Sequence, residues 1–325
     1  MYRLQNRQLA RIVPRLAAIS CLSVASWLAP AWAGAGGPLP FQELASGVYA
    51  VVGENAEAST ENQGKVGNQG ILIGDDGVIL IDTGTSARYA RELLGAVRDL
   101  TSKPVVLAIN THPHPAFIFG NGTLVSQGVP ILAHRRVAEL IRQRCAQCLK
   151  NLIQVLGDEA MRGTTVTVPT QTVEGTATVT VAGRVLDILY FGHSSSEGSI
   201  AVLDRASGIL FAGGMVSFDR VPDTTQARID VWMTALKALK ARSPTLVVPG
   251  EGPVGMADEI EGLEDYLMAL RRKVERTYEH GASLGAAAAQ SQLPEFERWP
   301  LYSVVHNRNV EHLYLQLERA TLDRM

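Results

Sequence analysis

Two histidines one residue apart, His112 and His114, are each followed by proline, and the apolar run of residues 105–109 leads straight into them. The run reads as a buried strand, and a residue ahead of proline is pushed out of the helical region into an extended one. In an extended chain residues two apart project from the same face, so the two imidazoles stand side by side. A metal ion asks this of two of its ligands. The same residues also read as a rigid loop whose histidines meet only solvent, because so short a motif recurs by chance. A second pair of reactive side chains, Cys145 and Cys148, lies in a stretch with helical periodicity through Val137, Leu140, Ile141 and Leu149. Their three-residue offset puts both sulfurs on one helix face, where an oxidising compartment would allow a local disulfide. A redox role is the sharper alternative, but the stretch lacks a strand–turn–helix setting for it.

The elements that must hold these residues are short. Strands are predicted over residues 48–52, 70–74 and 78–82, with polar and glycine turns between them such as Asp75-Asp76-Gly77. Asp82 ends the third strand, and one reading makes it the cap of a helix over about residues 86–100, whose Tyr89, Leu93, Leu94 and Val97 share a face. Further strands are predicted at residues 161–170, 177–181, 185–191, 199–203 and 209–213. A helix over about 230–241 and a buried strand at 245–249 follow. Strands and a helix, repeated twice, predict an α/β sandwich of two sheets flanked by helices. From residue 258 the character turns helical: Ile260, Leu263, Tyr266, Leu267 and Leu270 recur at helical spacing, His280-Gly281 forms a stop, and residues 304–319 form a last helix. His134, His280, His306 and His312 have no ligand-like spacing and read as ordinary surface or core residues.

The first fifteen residues carry Arg3, Arg7, Arg11 and Arg15 and no acid, and an apolar stretch follows to Ala31-Trp32-Ala33. A basic head, a short apolar body and a small-x-small exit describe a secretory signal peptide over residues 1–33, so the mature chain is expected to be periplasmic or secreted. Cleavage there removes four arginines and takes the formal charge from −2 to about −6. That balance, with no basic helix face, speaks against nucleic acid as a partner, and no later segment predicts a membrane span. The expected organisation is a catalytic-type domain over 34–255 and a helical extension over 256–325 packed on it.

Residues 79–84 (Ile-Leu-Ile-Asp-Thr-Gly), 111–114 (Thr-His-Pro-His) and 192–194 (Gly-His-Ser) follow in the order and rough spacing of the metallo-β-lactamase superfamily. The sequence resembles that superfamily from about residue 47 to 255. The resemblance implies an αβ/βα sandwich, with two mixed sheets between helical layers. It implies one zinc ion on His112, His114 and His193, and a buried Asp82 beneath the loop that orients the site. Three neutral imidazoles and a water form a sufficient zinc site, since such a zinc brings the pKa of its water to about 7. The second metal site of the family is dismantled. The family motif His-x-His-x-Asp-His ends here in Ala116 and Phe117, the bridging aspartate is Gly214, and the histidine of the Pro-Gly-His-Gly turn is Glu251. Glu251 retains useful chemistry as a general base or fourth ligand. Two functions follow as expectations: a single-zinc hydrolase of an unknown small substrate assisted by Glu251, or a binding or accessory protein that kept the groove and lost the reaction. Within the superfamily, residues 61–70, Phe119-Gly120-Asn121, Met161-Arg162-Gly163-Thr164 and Asn309-Val310 resemble exported quinoprotein relay system zinc metallohydrolases. That resemblance implies work beside pyrroloquinoline-quinone-dependent dehydrogenases.

Overall fold

The computed structural model describes residues 39–323, and the expected leader over residues 1–33 lies outside them. In chain order the strands are β1 (Gln42–Ala45), β2 (Val48–Val51), β3 (Gln69–Ile73), β4 (Val78–Ile81), β5 (Val105–Asn110), β6 (Ile131–His134), β7 (Gln171–Val173), β8 (Ala177–Val181), β9 (Arg184–Tyr190), β10 (Ile200–Asp204), β11 (Ile209–Ser217) and β12 (Leu246–Glu251). The helices are α1 (Ala87–Leu100), α2 (Pro115–Ile118), α3 (Asn121–Val125), α4 (Arg135–Leu156), α5 (Asp158–Met161), α6 (Ile229–Lys240), α7 (Ile260–Glu279), α8 (Leu284–Gln290) and α9 (Asn307–Leu322).

Two mixed sheets form, one ordered β1 to β7 in sequence, the other β12-β11-β10-β9-β8. In the first, β1 to β4 pair antiparallel, and β4 to β7 pair parallel through the helical crossovers. In the second, only β11 and β12 are parallel. The sheets meet face to face through Leu72, Ile79, Ile81 and Ile109 on one side and Ile188, Val202, Ile209 and Phe211 on the other. Residues that face away from this layer on the first sheet, such as Ile71, Leu80 and Ala108, pack beneath α1. Apolar residues on the outer face of the second sheet pack under α6, α7 and α9 as one continuous cluster, from Leu189 and Leu210 to Tyr266, Val310 and Leu313. Apolar faces at alternating strand positions and at helical spacing thus close on each other in four layers.

Two local expectations are corrected. Ser86, not Asp82, caps α1, its side chain accepting from the Tyr89 amide. Residues 162–170 form no strand: positive-φ Gly163 follows α5, and the threonines after it spend their hydroxyls on neighbours, Thr164 on the Ala87 amide and Thr165 on Thr167. Strands β1, β6 and β7 were not predicted.

Candidate functional site

The site lies at the carboxyl ends of β4, β5, β11 and β12, where loops replace the ladder. Asp82 follows β4 with φ +61° and is 1% exposed. Its carboxyl accepts from the Thr111 amide at 2.8 Å and from the Thr111 hydroxyl at 2.6 Å, which fixes the residue just before His112. Burial pushes the Asp82 carboxyl up to about 8, against the downward pull of the two Thr111 bonds.

Beneath the same loop runs a buried amide network. Asn121 Nδ2 donates to Asn110 Oδ1 at 2.7 Å and to the Thr167 carbonyl at 3.2 Å, and the Thr83 hydroxyl donates to Asn121 Oδ1 at 2.8 Å. Asn110 Nδ2 and the Thr83 amide both donate to the Phe117 carbonyl, at 3.3 and 2.8 Å. Thr83, Asn110 and Asn121 are fully buried. Such a satisfied network holds a backbone in one place. The segment it holds presents Phe117 against both histidines, with ring centroids 5.7 Å from His112 and 5.9 Å from His114.

His112 and His114 stand with centroids 6.2 Å apart. His112 Nδ1 accepts from the His114 amide at 3.0 Å, and His114, extended at φ −67° and ψ 142°, caps α2 by accepting from the Ala116 amide at 3.3 Å. Burial first, and the His114 ring second, push the His112 imidazole down to about 3, with Asp223 pulling the other way; it is neutral at physiological pH. Gly214, where the resemblance expects a bridging aspartate, lies against this ring: a Cβ there would stand 2.4 Å from His112 Cδ2. His193 goes elsewhere. Its Nε2 meets the Gln226 carbonyl at 2.6 Å, and it does not line the cavity that His112 and His114 enter. Gly192 before it has φ +88°, a turn that favours glycine.

A catalytic zinc needs three protein nitrogens or oxygens converging at about 2.0–2.2 Å. Among the described residues no three His, Cys, Asp or Glu side chains converge in this way. The donor set present here therefore does not fit zinc, and the expected His112–His114–His193 centre is not assembled. Glu251 lines the same cavity as His112 and His114, with Oε2 3.5 Å from Arg220 Nη2. Its turn is fastened by Asn68, whose Nδ2 donates to the Pro249 and Gly252 carbonyls at 2.9 and 2.8 Å.

Beside the two histidines is a cavity of about 420 Å³, walled by Val66, Phe117, Leu152, Trp232 and Val305. The helical extension supplies part of this wall through Leu301, Val305 and Arg308. Asn309 of α9 ties the opposing loop down, accepting from the Thr224 amide at 2.9 Å and donating to the Pro222 carbonyl at 2.7 Å. Asp223 on that loop was not foreseen. Burial raises its carboxyl, but its bonds from Thr225, with Arg308 and His114, outweigh that and lower it. Arg220, Ser217 and Arg308 were missed too; the only trace in the sequence is an arginine set between apolar Phe218 and Val221. Cys148 reaches the cavity, while Cys145 is buried; both are free thiols. The neighbouring Cys145 thiol pulls Cys148 down to about 7, against burial, and is itself raised by Cys148 and by burial.

The metallo-β-lactamase superfamily profile matches residues 63–251, more than half the chain. A type 2 metallo-β-lactamase of Bacteroides fragilis is 26% identical over 225 residues, spanning 67% of this chain and 81% of that protein. One from Bacillus cereus is 24% identical over 190 residues, spanning 57% of this chain and 66% of its own length. Among solved structures, a metallo-β-lactamase from Pontibacter korlensis superposes with a TM-score of 0.57 at 22% identity, covering 71% of this chain and 99% of that one. The DIM-1 metallo-β-lactamase gives 0.55 at 18%, covering 71% and 98%. This chain belongs to the metallo-β-lactamase superfamily, whose members are generally zinc hydrolases, and has its fold.

Proposed function

We propose that this chain binds a small organic molecule in the cavity beside His112 and His114 and carries out no metal-dependent reaction there. The observation that carries the reading is how the imidazoles are used. His112 Nδ1 and His114 Nδ1 accept from backbone amides of their own loop, which keeps the proton of each neutral ring on Nε2, and the His193 ring is turned to the Gln226 carbonyl and does not converge with them. The cavity supports it as well, since its volume lies within the range of about 300–1,000 Å³ usual for small-molecule sites, with mostly apolar walls. The reading keeps the chain exported, to the periplasm or beyond, and working beside quinoprotein dehydrogenases; sequence motifs alone support both.

One observation favours the other expectation. His112 and His114 share one loop with their rings adjacent, as two ligands of a single zinc would be. A single-zinc hydrolase would require a nitrogen of the His193 ring to reach the same point as His112 and His114. Zinc titration of the purified chain by calorimetry separates the two readings. The binding reading expects no tight equivalent of zinc and no hydrolysis of ester, thioester or lactam probes. One tight equivalent, lost in both His114→Ala and His193→Ala, would overturn it.

A further inference from the structure

One face of α4 presents Cys148, Asn151, Leu152 and Val155 at helical spacing, and all four line the cavity. Cys148 heads this stripe and is partly exposed, whereas Cys145, one turn earlier, is buried. Cys148 Sγ donates only weakly, to the Arg144 carbonyl at 3.5 Å. A local disulfide between the two cysteines works against the helix. Residues three apart on a helix hold their Cβ atoms about 5–6 Å apart, and a disulfide draws them to about 3.5–4.5 Å. Both cysteines lie in the middle of α4, which Val137 and Ile141 on one side and Leu152 and Leu156 on the other fix against the core. Closing the pair would deform a packed helix, so a thiol faces the cavity with no easy route to its neighbour. Drawn down to about 7 by Cys145, against burial, that thiol is in part thiolate at neutral pH, the form that attacks.

We infer that Cys148 captures one half of a small, uncharged organic disulfide as a mixed disulfide, with the captured group lying along Leu152 and Val155 in the cavity. This capture rests on the small-molecule reading above and adds a covalent bond to it. The thiolate attacks one sulfur of R–S–S–R, so the bond from Cys148 Sγ to that sulfur forms and the S–S bond breaks. R–S⁻ departs with the electron pair and takes a proton from water. Cys148 is oxidised as the departing half is reduced, and the incoming disulfide is the only oxidant needed. Attack by Cys145 on the adduct would expel the captured group, but it needs the contracted Cβ pair, so the adduct persists until an external thiol reverses it. Charge decides the class of R. Among the described residues that line the cavity, Arg220 stands by Glu251 at 3.5 Å, and Arg308 by Glu57 at 3.6 Å and Asp223 at 3.4 Å. Each cation is already matched, so a charged R would lose hydration and find no open counter-charge.

Mass spectrometry on the full purified chain at neutral pH tests the capture with three small disulfides: uncharged bis(2-hydroxyethyl) disulfide, cationic cystamine and anionic 3,3′-dithiodipropionate. The uncharged probe is expected to leave one adduct per chain, at Cys148 about tenfold faster than at Cys145. It is expected to react several-fold faster than either charged probe, with the adduct and not a Cys145–Cys148 disulfide as the main product. Cys148→Ser is expected to abolish capture. Val155→Trp, at a position 46% exposed, is expected to fill the end of the stripe and slow capture several-fold with the thermal midpoint held. A Cys145–Cys148 disulfide as the main product overturns the proposal. So do equal rates for the three probes, or a rate untouched by Val155→Trp, since the thiol would then react without the cavity. No adduct at Cys148 overturns the proposal alone, because a ligand held without a bond could still fill the cavity. One tight equivalent of zinc, lost in His114→Ala and His193→Ala, overturns the reading beneath it whatever Cys148 does.

Discussion

Two polar regions flank the same cavity and are built on opposite terms. Under the histidine loop, the side-chain amides and hydroxyls of Thr83, Asn110 and Asn121 bond to one another and to the Phe117 backbone. Across from it, Arg220, Ser217 and Arg308 each hold at least one buried donor with no partner. The difference separates polar groups whose bonds fix a shape from polar groups buried without a partner. A satisfied buried network is worth more than its single bonds, and an unsatisfied one costs stability.

The largest effect is expected where the paired region is broken. Asn121→Ala strands Asn110 Oδ1 and the Thr167 carbonyl and leaves the Thr83 hydroxyl only the Phe117 carbonyl, and should lower stability by about 3 kcal/mol in urea denaturation. A loss under about 1 kcal/mol would mean that water replaces the amide and the region is not rigid.

Asp82 gives the paired region a pH dependence. Its folded pKa, about 8, stands above the ordinary carboxyl value, so the folded chain holds a proton that the unfolded chain has released between roughly pH 4 and 8. This contribution is therefore full below about pH 4 and is lost as pH rises through 8. Asp82→Asn keeps an acceptor for the Thr111 amide, and its stability should stay flatter across that window. Parallel curves for the two proteins would show Asp82 ionised throughout.

The open region should respond with the opposite sign. Arg220→Met removes a buried guanidinium with two unpaired nitrogens and should leave stability unchanged or raise it by about 1 kcal/mol. Glu251, less deeply buried with 21% of its side chain exposed, can turn to water. A loss of several kcal/mol would make Arg220 part of the scaffold.

The smallest effect concerns the thiols. Cys148 faces the cavity with its pKa lowered to about 7, so iodoacetamide labelling should climb through neutral pH at Cys148 and spare buried Cys145. Equal labelling of both cysteines, read by peptide mass spectrometry, would remove the distinction between them.

Much of the fold was legible in the sequence, because periodic apolar residues report directly on which face is buried. The strand over 177–181, the helix ending at Leu100 and the helical C-terminal fifth lie where the pattern placed them. Strand β6 was missed because Ile131–His134 is a four-residue run at the foot of the long helix α4, too short to show alternation. At the site, residue types were legible and directions were not. The spacing of His112 and His114 set the rings side by side, but nothing local to residues 192–194 shows that His193 turns to Gln226, thirty-three positions on. Arg220, Asp223 and Arg308 meet only through the long connections after β11 and before α9, and spacing carries no trace of such meetings.

The seat of His112 on Gly214 has a consequence for how this protein can change. An acidic side chain reinstated at position 214 would collide with the imidazole before it could hold any ion, as a single Cβ already does at 2.4 Å. The ring cannot simply yield, since its own nitrogen braces the loop through the His114 amide. Any side chain at 214 therefore asks the ring to move first, and the loop gives up that brace with it.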